Sequence, residues 1–238
     1  MEKYKKKILS SETFYNDSFL HIDFELTKFN YFALKEYFKI GSAIEMGPAL
    51  GQMTKFLVDD FNEIHLIEAS KTLIDQIPIY SNTIKHNCYF EEFETDLRVD
   101  TNIMSHVLEH LEKPVEILSK FRKFMKDDGV FLISVPNAKS IHRLVAVEMG
   151  LLSSIYSLNE RDIALGHYRV YDLDSLTADC TISGFEVVAK GGVFLKPLSN
   201  GQIEKEWTSE MVQAFNSVGR KLPEYCAEIF IVLKKTYK

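Results

Sequence analysis

The chain has 238 residues, 46% of them hydrophobic and 12% aromatic, which suits one well-filled α/β domain and is too few for two independent ones. Its net charge of -6 and pI near 5.7 argue against a general nucleic-acid binder, whose surface would be basic, and favour a small-molecule partner. Three widely spaced cysteines exclude a disulfide framework or a cysteine-based zinc site. With no apolar run of membrane length, we expect a cytoplasmic protein without membrane association.

A helix is expected before the first strand, because apolar residues recur at helical spacing from Ile22 to Phe38. This helix would cover one face of a sheet or lie across a ligand site. We assign residues 1–39 to an N-terminal helical segment.

The stretch from residue 42 to residue 70 predicts a β-α-β unit. A short apolar strand ends at Glu45, a turn of small residues follows over 47–51, and a helix through Phe61 leads to a second strand, Ile64–Ile67. The N–H groups at the start of such a helix point at whatever lies above the turn, and small residues let a ligand approach the backbone.

Glu68 follows the second strand, about 20 residues beyond the turn, where an acid can accept hydrogen bonds from both hydroxyls of a ribose. The unit is therefore built to hold a nucleoside. A dinucleotide-binding turn would have a third glycine where this chain has Gln52, which speaks against a nicotinamide-dependent oxidoreductase.

The order acid-x-Gly-x-small-x-Gly resembles the first motif of the class I S-adenosylmethionine (SAM) methyltransferases; its members here are Glu45, Gly47, Ala49 and Gly51. The resemblance implies that Glu45 orients the turn or the methionine amino group. It implies that Gly47, Ala49 and Gly51 cradle SAM and that Glu68 holds the ribose. Ala49 departs from the usual glycine, which bears on cofactor affinity more than on cofactor identity.

A third strand is expected around Ile84–Phe90, followed by an aromatic and acidic run. In the family that the first motif resembles, adenine lies near the end of this strand. We predict Glu91 as its contact, with Glu92 equally available.

A second motif, VDTNIMSHVLEHLEKP from Val99 to Pro114, resembles the fourth-strand motif of small-molecule methyltransferases. The strand over 100–105 would end at the carboxyl edge of the sheet, where open α/β sheets bind ligands. The resemblance implies cofactor contacts from Ser105 and His106, and a place for His106 near the sulfonium as a candidate catalytic residue.

The same motif satisfies the H-x-x-E-H spacing of a class of zinc peptidases through His106, Glu109 and His110. That chemistry needs a long helix and a further acidic ligand, whereas this motif directly follows a strand and is cut off by Pro114. We therefore expect no metal. His110 is expected to cap the turn or to take part in the chemistry.

Residues 40–138 form the predicted SAM-binding half, which ends after a fifth strand at Pro136-Asn137. Residues 139–183 form an insertion in the place where the family carries its acceptor lid. Within the insertion, GHYRVY from Gly166 resembles a segment of bacterial small-molecule methyltransferases. His167 is the candidate general base, since an imidazole takes a proton near neutral pH, or else it holds the loop closed.

Several positively charged residues lie close together in the sequence of this insertion, although the chain as a whole carries a net negative charge. Because arginine binds phosphate and carboxylate with two parallel hydrogen bonds, we predict an anionic acceptor, such as a phosphorylated or nucleotide-linked sugar. The predicted contacts are His142, Arg143, Tyr168 and Arg169. The alternative is that the arginines are solvated surface residues.

Residues 184–238 are predicted to contain two more strands and one final helix. That helix would hold Trp207 on an apolar stripe, for the core or for a homodimer contact. The seventh strand, 227–233, is an unbroken apolar run. Seven strands would match the usual sheet of the methyltransferases that the motifs resemble, so the resemblance implies an α/β fold class: a Rossmann-like doubly wound seven-stranded sheet, mostly parallel with an antiparallel last strand.

The resemblance implies a bacterial SAM-dependent methyltransferase that acts on a small molecule, like the sugar and quinone O-methyltransferases, in surface-glycan or secondary metabolism. Oxygen is the favoured acceptor atom. Nitrogen methylation and a non-catalytic SAM-binding subunit stay open, because no residue is certain to act as a base.

Overall fold

The computed structural model describes residues 12–13 and 20–236. Its seven strands form one sheet in the order β3-β2-β1-β4-β5-β7-β6. Every pair among the first five is parallel, and β7 is antiparallel to both of its neighbours. The predicted mostly parallel sheet with an antiparallel last strand is confirmed.

The strands are β1 (Ser42–Met46), β2 (Glu63–Ile67), β3 (Thr83–His86), β4 (Val99–Ser105), β5 (Met125–Pro136), β6 (Phe185–Val193) and β7 (Glu228–Lys235). The helices are α1 (His21–Lys35), α2 (Thr54–Leu57), α3 (Lys71–Gln76), α4 (Pro114–Phe121), α5 (Ile141–Glu148), α6 (Glu160–Leu165), α7 (Leu173–Ile182), α8 (Asn200–Glu206) and α9 (Ser209–Gly219). Short 3-10 turns lie at Leu108–His110, Arg122–Phe124 and Pro223–Tyr225.

The central strands β1 and β4 are buried along most of their length because both faces of the sheet are covered by helices. One hydrophobic cluster includes Ile117 of α4 and Leu176 of α7. A second cluster includes Leu26 of α1 and Ile203 of α8. In the described part of the chain, no helix combines the length and the apolar character needed to cross a bilayer.

The order of the strands reverses between β1 and β4, which pair with each other in the middle of the sheet. Such a switch point leaves a crevice outside the carboxyl ends of the strands, because the connections on either side leave in opposite directions. The predicted glycine turn after β1 and the His106 turn after β4 both open into this crevice.

Between β5 and α7, residues 137–172 leave the sheet and carry α5 and α6. We call this segment the lid because it overlaps the insertion 139–183 that was predicted to cover the acceptor, and its role as a cover stays a prediction. Asn137 anchors the start of this segment, because its side-chain amide donates to the carbonyl oxygens of Glu224 and Cys226, each at 2.8 Å. A backbone bridge between Asn137 and Tyr171 ties its two ends together. The division of the chain into four parts stays a prediction, and much of 1–19 lies outside the described residues.

Several predicted boundaries were wrong. The helix after the glycine turn ends at Leu57 and not at Phe61, and β3 ends at His86, well before Phe90. The predicted single final helix is two helices, α8 and α9, because the backbone at Trp207 is extended (φ -99°, ψ 138°). Trp207 lies between them and packs against Phe194 and Phe215.

Gly192 of β6 is required by packing. A Cβ atom at this position would lie 2.4 Å from the Pro223 carbonyl oxygen and 2.7 Å from the Pro223 Cα, and this backbone cannot move aside cheaply. We predict that Gly192→Ala lowers the free energy of unfolding by about 1 to 3 kcal/mol, measured by urea unfolding.

Gly201→Ala is the matched control for this prediction, because nothing lies within 4 Å of a Cβ built at Gly201 in α8. Alanine favours a helix more than glycine does, so the control should be neutral or stabilising by up to about 1 kcal/mol. Equal effects of the two substitutions would contradict the packing argument.

Candidate functional site

A cavity of about 210 Å³ opens at the crevice between β1 and β4. It is lined by the glycine turn, the ends of β1 and β4, the start of α1, the lid segment and the chain around α8. Of the residues predicted for the site, it includes Glu45, Gly47, Ala49, Ser105, His106, His142, Arg143 and His167.

The glycine turn has the left-handed backbone that its small residues allow. The φ angles of Gly47, Ala49 and Gly51 are 67°, 49° and 73°. A Cβ at Gly47 would lie 2.6 Å from the Cγ2 of Val107, so only glycine fits there. Ala49 is not a glycine and yet adopts a positive φ, which is strained for a residue with a side chain. The family usually has glycine at this position, so the methyl group of Ala49 replaces a hydrogen atom.

Glu45 is a buried acid at the end of β1, beneath the turn. Its carboxylate accepts a hydrogen bond from the hydroxyl of Thr54 at 2.7 Å. Burial raises the pKa of Glu45 to about 7, against the lowering effect of that hydrogen bond. A positively charged group in the cavity would therefore be stabilised next to this carboxylate.

Glu68, at the end of β2, holds the turn from the other side. Its carboxylate accepts hydrogen bonds from the backbone N–H of Ala49 at 3.2 Å and from that of Ser70 at 2.9 Å. Glu68 and Gly51 border the turn but do not line the cavity. Glu91 is exposed and does not line the cavity either, so the predicted adenine contact stays a prediction.

At the end of β4, the hydroxyl of Ser105 hydrogen-bonds that of Ser134 on β5 at 2.7 Å. His106 follows with a left-handed backbone (φ 56°), which turns its ring into the cavity. Its Nε2 lies 3.1 Å from the carboxylate of Glu228, and its Nδ1 lies 3.6 Å from that of Glu109.

Burial by itself lowers the pKa of His106, but the carboxylates of Glu228 and Glu109 outweigh burial and raise this pKa to about 9. His106 is therefore a cation at neutral pH. A protonated imidazole cannot accept a proton, so the catalytic role predicted for His106 is limited to electrostatics or positioning. That role stays a prediction.

The lid places His167 through the caps of α6. Asn159 and Asp162 form a capping box at the start of this helix, and Gly166 ends it with a left-handed backbone (φ 80°). The chain then folds back, so that His167 N–H donates to the Asp162 carbonyl oxygen at 2.9 Å. The Nδ1 of His167 lies 3.3 Å from the Asp162 carboxylate.

The two arginines predicted to bind the acceptor are engaged within the protein. Arg143 is buried, and its guanidinium donates to Asp162 at 3.0 Å, to the Ile155 carbonyl oxygen at 3.0 Å and to the Ser157 carbonyl oxygen. Arg169 donates to the carbonyl oxygens of Leu111 and Glu112, both at 3.0 Å. Both arginines hold loops, and their predicted contact with the acceptor stays a prediction.

Of the other two predicted acceptor contacts, His142 lines the cavity and Tyr168 does not. Burial, together with the positive charges of Lys196 and Arg143, lowers the pKa of His142 to about 3. His142 is therefore neutral at physiological pH. It can form hydrogen bonds to a ligand but cannot supply a positive charge.

Sequence patterns missed several lining residues that come from distant parts of the chain; they are Asp23, Lys196, Asn200 and Glu228. Each is a single polar residue in an apolar stretch or beside a helix cap. This isolated polarity was the one sign in the sequence that could have pointed to them. Asp23 accepts from Arg161 at 2.8 Å and from Asn200 at 2.6 Å, and so joins α1, α6 and α8.

Among the described residues that line the cavity, Lys196 is a cation whose charge is not paired with a carboxylate. Its ammonium group donates to the Asn200 side-chain oxygen at 2.7 Å, and no described carboxylate lies within 4 Å of it. Burial and the charge of Arg161 lower the pKa of Lys196 to about 8, against the influence of nearby acids. Most molecules therefore carry the charged form at pH 7.

The pairing of His106 with Glu228 predicts a stability that depends on pH. Because the folded pKa of His106, about 9, exceeds the unfolded value of about 6.5, this contribution is fully present below pH 6.5 and is lost as the pH rises through 9. Glu228→Gln should lower the pKa of His106, measured by NMR, and should flatten the loss of stability between pH 7 and 10.

Glu224→Gln is the control for this prediction, because Glu224 is an exposed acid four residues away on the same segment. It should keep the alkaline loss of stability of the unmodified protein. If Glu228→Gln and Glu224→Gln behaved alike in both measurements, the ion pair would not be the cause.

The family model described as "Methyltransferase domain" matches residues 24–190. No curated protein sequence matches the chain significantly. Among solved structures, the chain is similar to the N-methyltransferase NodS from Bradyrhizobium japonicum in complex with S-adenosylhomocysteine, with 12% identity, coverage of 99% of this chain and 98% of that one, and a TM-score of 0.60.

The chain is also similar to 1,6-didemethyltoxoflavin-N1-methyltransferase from Burkholderia thailandensis, with 13% identity, coverage of 99% and 90%, and a TM-score of 0.66. A SAM-dependent methyltransferase from Archaeoglobus fulgidus has 19% identity, coverage of 88% and 94%, and a TM-score of 0.56. Identities this low indicate a shared fold, whereas the family match spans most of the chain. The chain therefore belongs to the methyltransferase-domain family, in the class I superfamily of enzymes whose cofactor is SAM.

Proposed function

We propose that this methyltransferase transfers the methyl group of SAM to a hydroxyl oxygen of a small, anionic acceptor. The observation that carries the proposal is that one cavity is lined both by the glycine turn with Glu45 and by His167 of the lid and Lys196 next to α8. We assign the first set of residues to SAM and call it the first end of the cavity, and we assign the second set to the acceptor and call it the second end.

The residues at the first end fit SAM. The backbone at Gly47 has no room for a side chain, and Glu45 offers a buried carboxylate to the methionine ammonium or the sulfonium. Glu68 lies beside the turn, in the position from which the family binds the ribose. SAM supplies an electrophilic methyl group, so the protein has mainly to hold the acceptor atom in line with it at about 3 to 3.5 Å.

At the second end, a hydroxyl acceptor has to lose its proton. Glu109 and His167 are the buried groups that support this step, and Asp162 orients the imidazole of His167. The imidazole and hydrogen bonds around Asp162 offset its burial and hold its pKa at about 2, so it keeps its negative charge. We assign the loss of the proton to this pair and leave an electrostatic role to His106.

The anionic part of the acceptor is assigned to Lys196, with Arg161 beside it. Lys196 lines the cavity without a carboxylate partner among the described residues, so a phosphate or carboxylate would compensate its charge. Arg161 already pairs with Asp23 at 2.8 Å and would add a second donor. This assignment shifts the anion site away from Arg143 and Arg169, whose guanidinium groups hold loops.

Nitrogen methylation is the second candidate. It is supported by the buried carboxylate of Glu109, which could hold an amine, and by the names of two solved structures with this fold, both N-methyltransferases. A non-catalytic SAM-binding subunit is the third candidate, because Ala49 stands where the family usually has glycine. A cytoplasmic location and a homodimer stay predictions from the sequence.

Glu68→Ala is predicted to weaken the binding of SAM by about tenfold to a hundredfold in calorimetry. The carboxylate holds the turn and is expected to hold the ribose, and hydrogen bonds to a charged group contribute about 1.5 to 3 kcal/mol each. Glu63→Ala, at the opposite end of the same strand, is the control and should leave the affinity unchanged. Equal affinities for all three proteins would contradict the proposed cofactor site.

An assay of methyl transfer to different classes of compound tests the proposed acceptor. The protein and SAM are incubated with sugar phosphates, sugar nucleotides, phenols and amines, and S-adenosylhomocysteine and methylated products are measured by mass spectrometry. Methylation of a hydroxyl on a phosphorylated compound is expected. Methylation of amines alone would establish the second candidate, and SAM binding without turnover on any compound would favour the third.

Lys196→Met is predicted to raise the KM for a phosphorylated acceptor at least about tenfold, because a charged hydrogen bond to the anion is lost. The kcat should change much less, since Lys196 does not face the reacting oxygen in this proposal. Lys205→Met, an exposed lysine on α8, serves as control. An unchanged KM in Lys196→Met would remove the assigned anion site.

A further inference from the structure

Three potential metal ligands meet where the lid contacts the turn after β4. Glu109 and His110 belong to the 3-10 turn Leu108–His110, and His167 comes from the end of α6. One ligand atom from each residue lies within 4.8 Å of the other two. No other group of three such residues occurs in the part of the chain that the structure describes.

The described protein compensates the carboxylate of Glu109 only in part, because it offers an ion pair with His106 but no hydrogen bond. Glu109 is 1% exposed, and neither of its carboxylate oxygens has a hydrogen-bond partner. The nearest cation is His106, whose Nδ1 lies 3.6 Å away and whose Nε2 is already bound to Glu228. A buried carboxylate without hydrogen bonds is costly, so such a group in a cavity points to a ligand.

The surroundings of the three residues orient them as in a metal site. Asp162 lies 3.3 Å from the Nδ1 of His167, which leaves Nε2 as the ligand nitrogen, and a carboxylate behind a histidine is the usual support for a metal-binding imidazole. The Tyr168 N–H donates to the Glu109 carbonyl oxygen at 2.9 Å and fixes the lid to the turn. The rings of His110 and His167 are perpendicular, with centroids 4.6 Å apart.

We propose that Glu109, His110 and His167 bind a divalent transition-metal ion at the acceptor end of the cavity. Two imidazoles and one carboxylate suit zinc or iron and disfavour magnesium and calcium, which prefer oxygen ligands. Ligands at 2.0 to 2.1 Å in a tetrahedron lie roughly 3.4 Å apart, so the farthest pair has to approach by no more than about 1.4 Å. Three protein ligands leave a position open for the acceptor.

The catalytic meaning of this site rests on the proposed function, although the binding of the ion does not. An acceptor hydroxyl next to a divalent cation loses its proton to water more readily. A lone pair of that oxygen then forms the new O–C bond to the methyl group, and the C–S bond breaks with its electron pair going to sulfur. In this arrangement water takes the proton, and Glu109 and His167 act as ligands of the ion instead of as the free bases of the metal-free mechanism proposed above.

The first test measures metal binding itself. The full chain is stripped with a chelator and dialysed against Zn²⁺, and bound metal is measured by elemental analysis and calorimetry. We expect one ion per chain. Glu109→Gln and His167→Gln should each weaken the binding of Zn²⁺ by at least about a hundredfold. Substituting a residue that only supports a ligand through a hydrogen bond typically weakens metal binding by roughly tenfold to a hundredfold.

Two control variants separate this site from other histidines. His142→Gln changes a histidine that lines the cavity but does not belong to the proposed metal site. His86→Gln changes a histidine elsewhere in the sheet, where the Nε2 of His86 lies 2.9 Å from the Nδ1 of His65. Both should keep the ion. Loss of the ion in His86→Gln, with normal binding in Glu109→Gln, would overturn the proposal.

A spectroscopic measurement on the unmodified chain covers the case in which a ligand variant fails to fold. X-ray absorption of the zinc-loaded protein should show two imidazole nitrogens and at least one oxygen around the ion. A shell of oxygen atoms alone, or no stoichiometric binding, would overturn the metal site.

The failure of the metal site and that of the methyltransferase proposal give different results. If SAM binds and turnover proceeds equally with and without chelator, the proposed function holds and the catalytic role of the ion is wrong; if the stripped chain also takes up no stoichiometric Zn²⁺, the metal site itself is wrong. If the ion binds to the three ligands but no acceptor is methylated, the site holds and the proposed function fails.

Discussion

The pairing of buried charge is the constraint on which the candidate site depends. Asp162 lies in the wall of the cavity, where an unpaired carboxylate would be costly, and it is compensated by Arg143 and by the imidazole of His167. Asp23 plays the same part between α1, α6 and α8 through Arg161 and Asn200. The Asp162 pairs lie within the lid, whereas the Asp23 contacts join elements that are far apart in the sequence. The first group of contacts fixes the shape of the lid, and the second holds the lid against α1 and α8 while neutralising the buried charge of Asp23.

Two carboxylates of the cavity are less well compensated, and they lie at different places. Among the described residues, Glu45, which lies beside the glycine turn, accepts a hydrogen bond only from the hydroxyl of Thr54. Glu109 has no hydrogen-bond partner among these residues. Where a protein leaves buried polar groups without partners, a ligand usually supplies them. In the function proposed here, the positively charged SAM would compensate the first carboxylate. An acceptor, or the proposed ion, accounts for the second.

The family relationship explains the sheet and the glycine turn but not the acceptor. Methyl transfer from SAM requires mainly that the acceptor atom be held in line, so one cofactor half can serve many chemistries through different lids. Here the lid offers His167, and the chain around α8 offers Lys196. The distribution of charge among the lid, α1 and α8 is therefore the part of the structure from which specificity has to be argued.

The sequence by itself determined the β-α-β unit, the strand before His106 and the existence of the last strand, because these depend on local patterns of apolar residues and turn residues. The antiparallel direction of that strand came from the resemblance to the family. It also indicated the lid by position. Only the tertiary structure decided which charges are available. Arg143 and Arg169 looked like anion binders, yet they donate to Asp162 and to backbone carbonyl groups. Lys196 and Glu228 carried only the weak signal of a single polar residue in an apolar stretch or beside a helix cap. His106, Glu109 and His110 are neighbours in the sequence, but the structure pairs His106 with Glu228 and brings His167 to the other two. Spacing along the chain predicts contacts within one element, whereas the partner of a buried charge is set by the packing of distant elements.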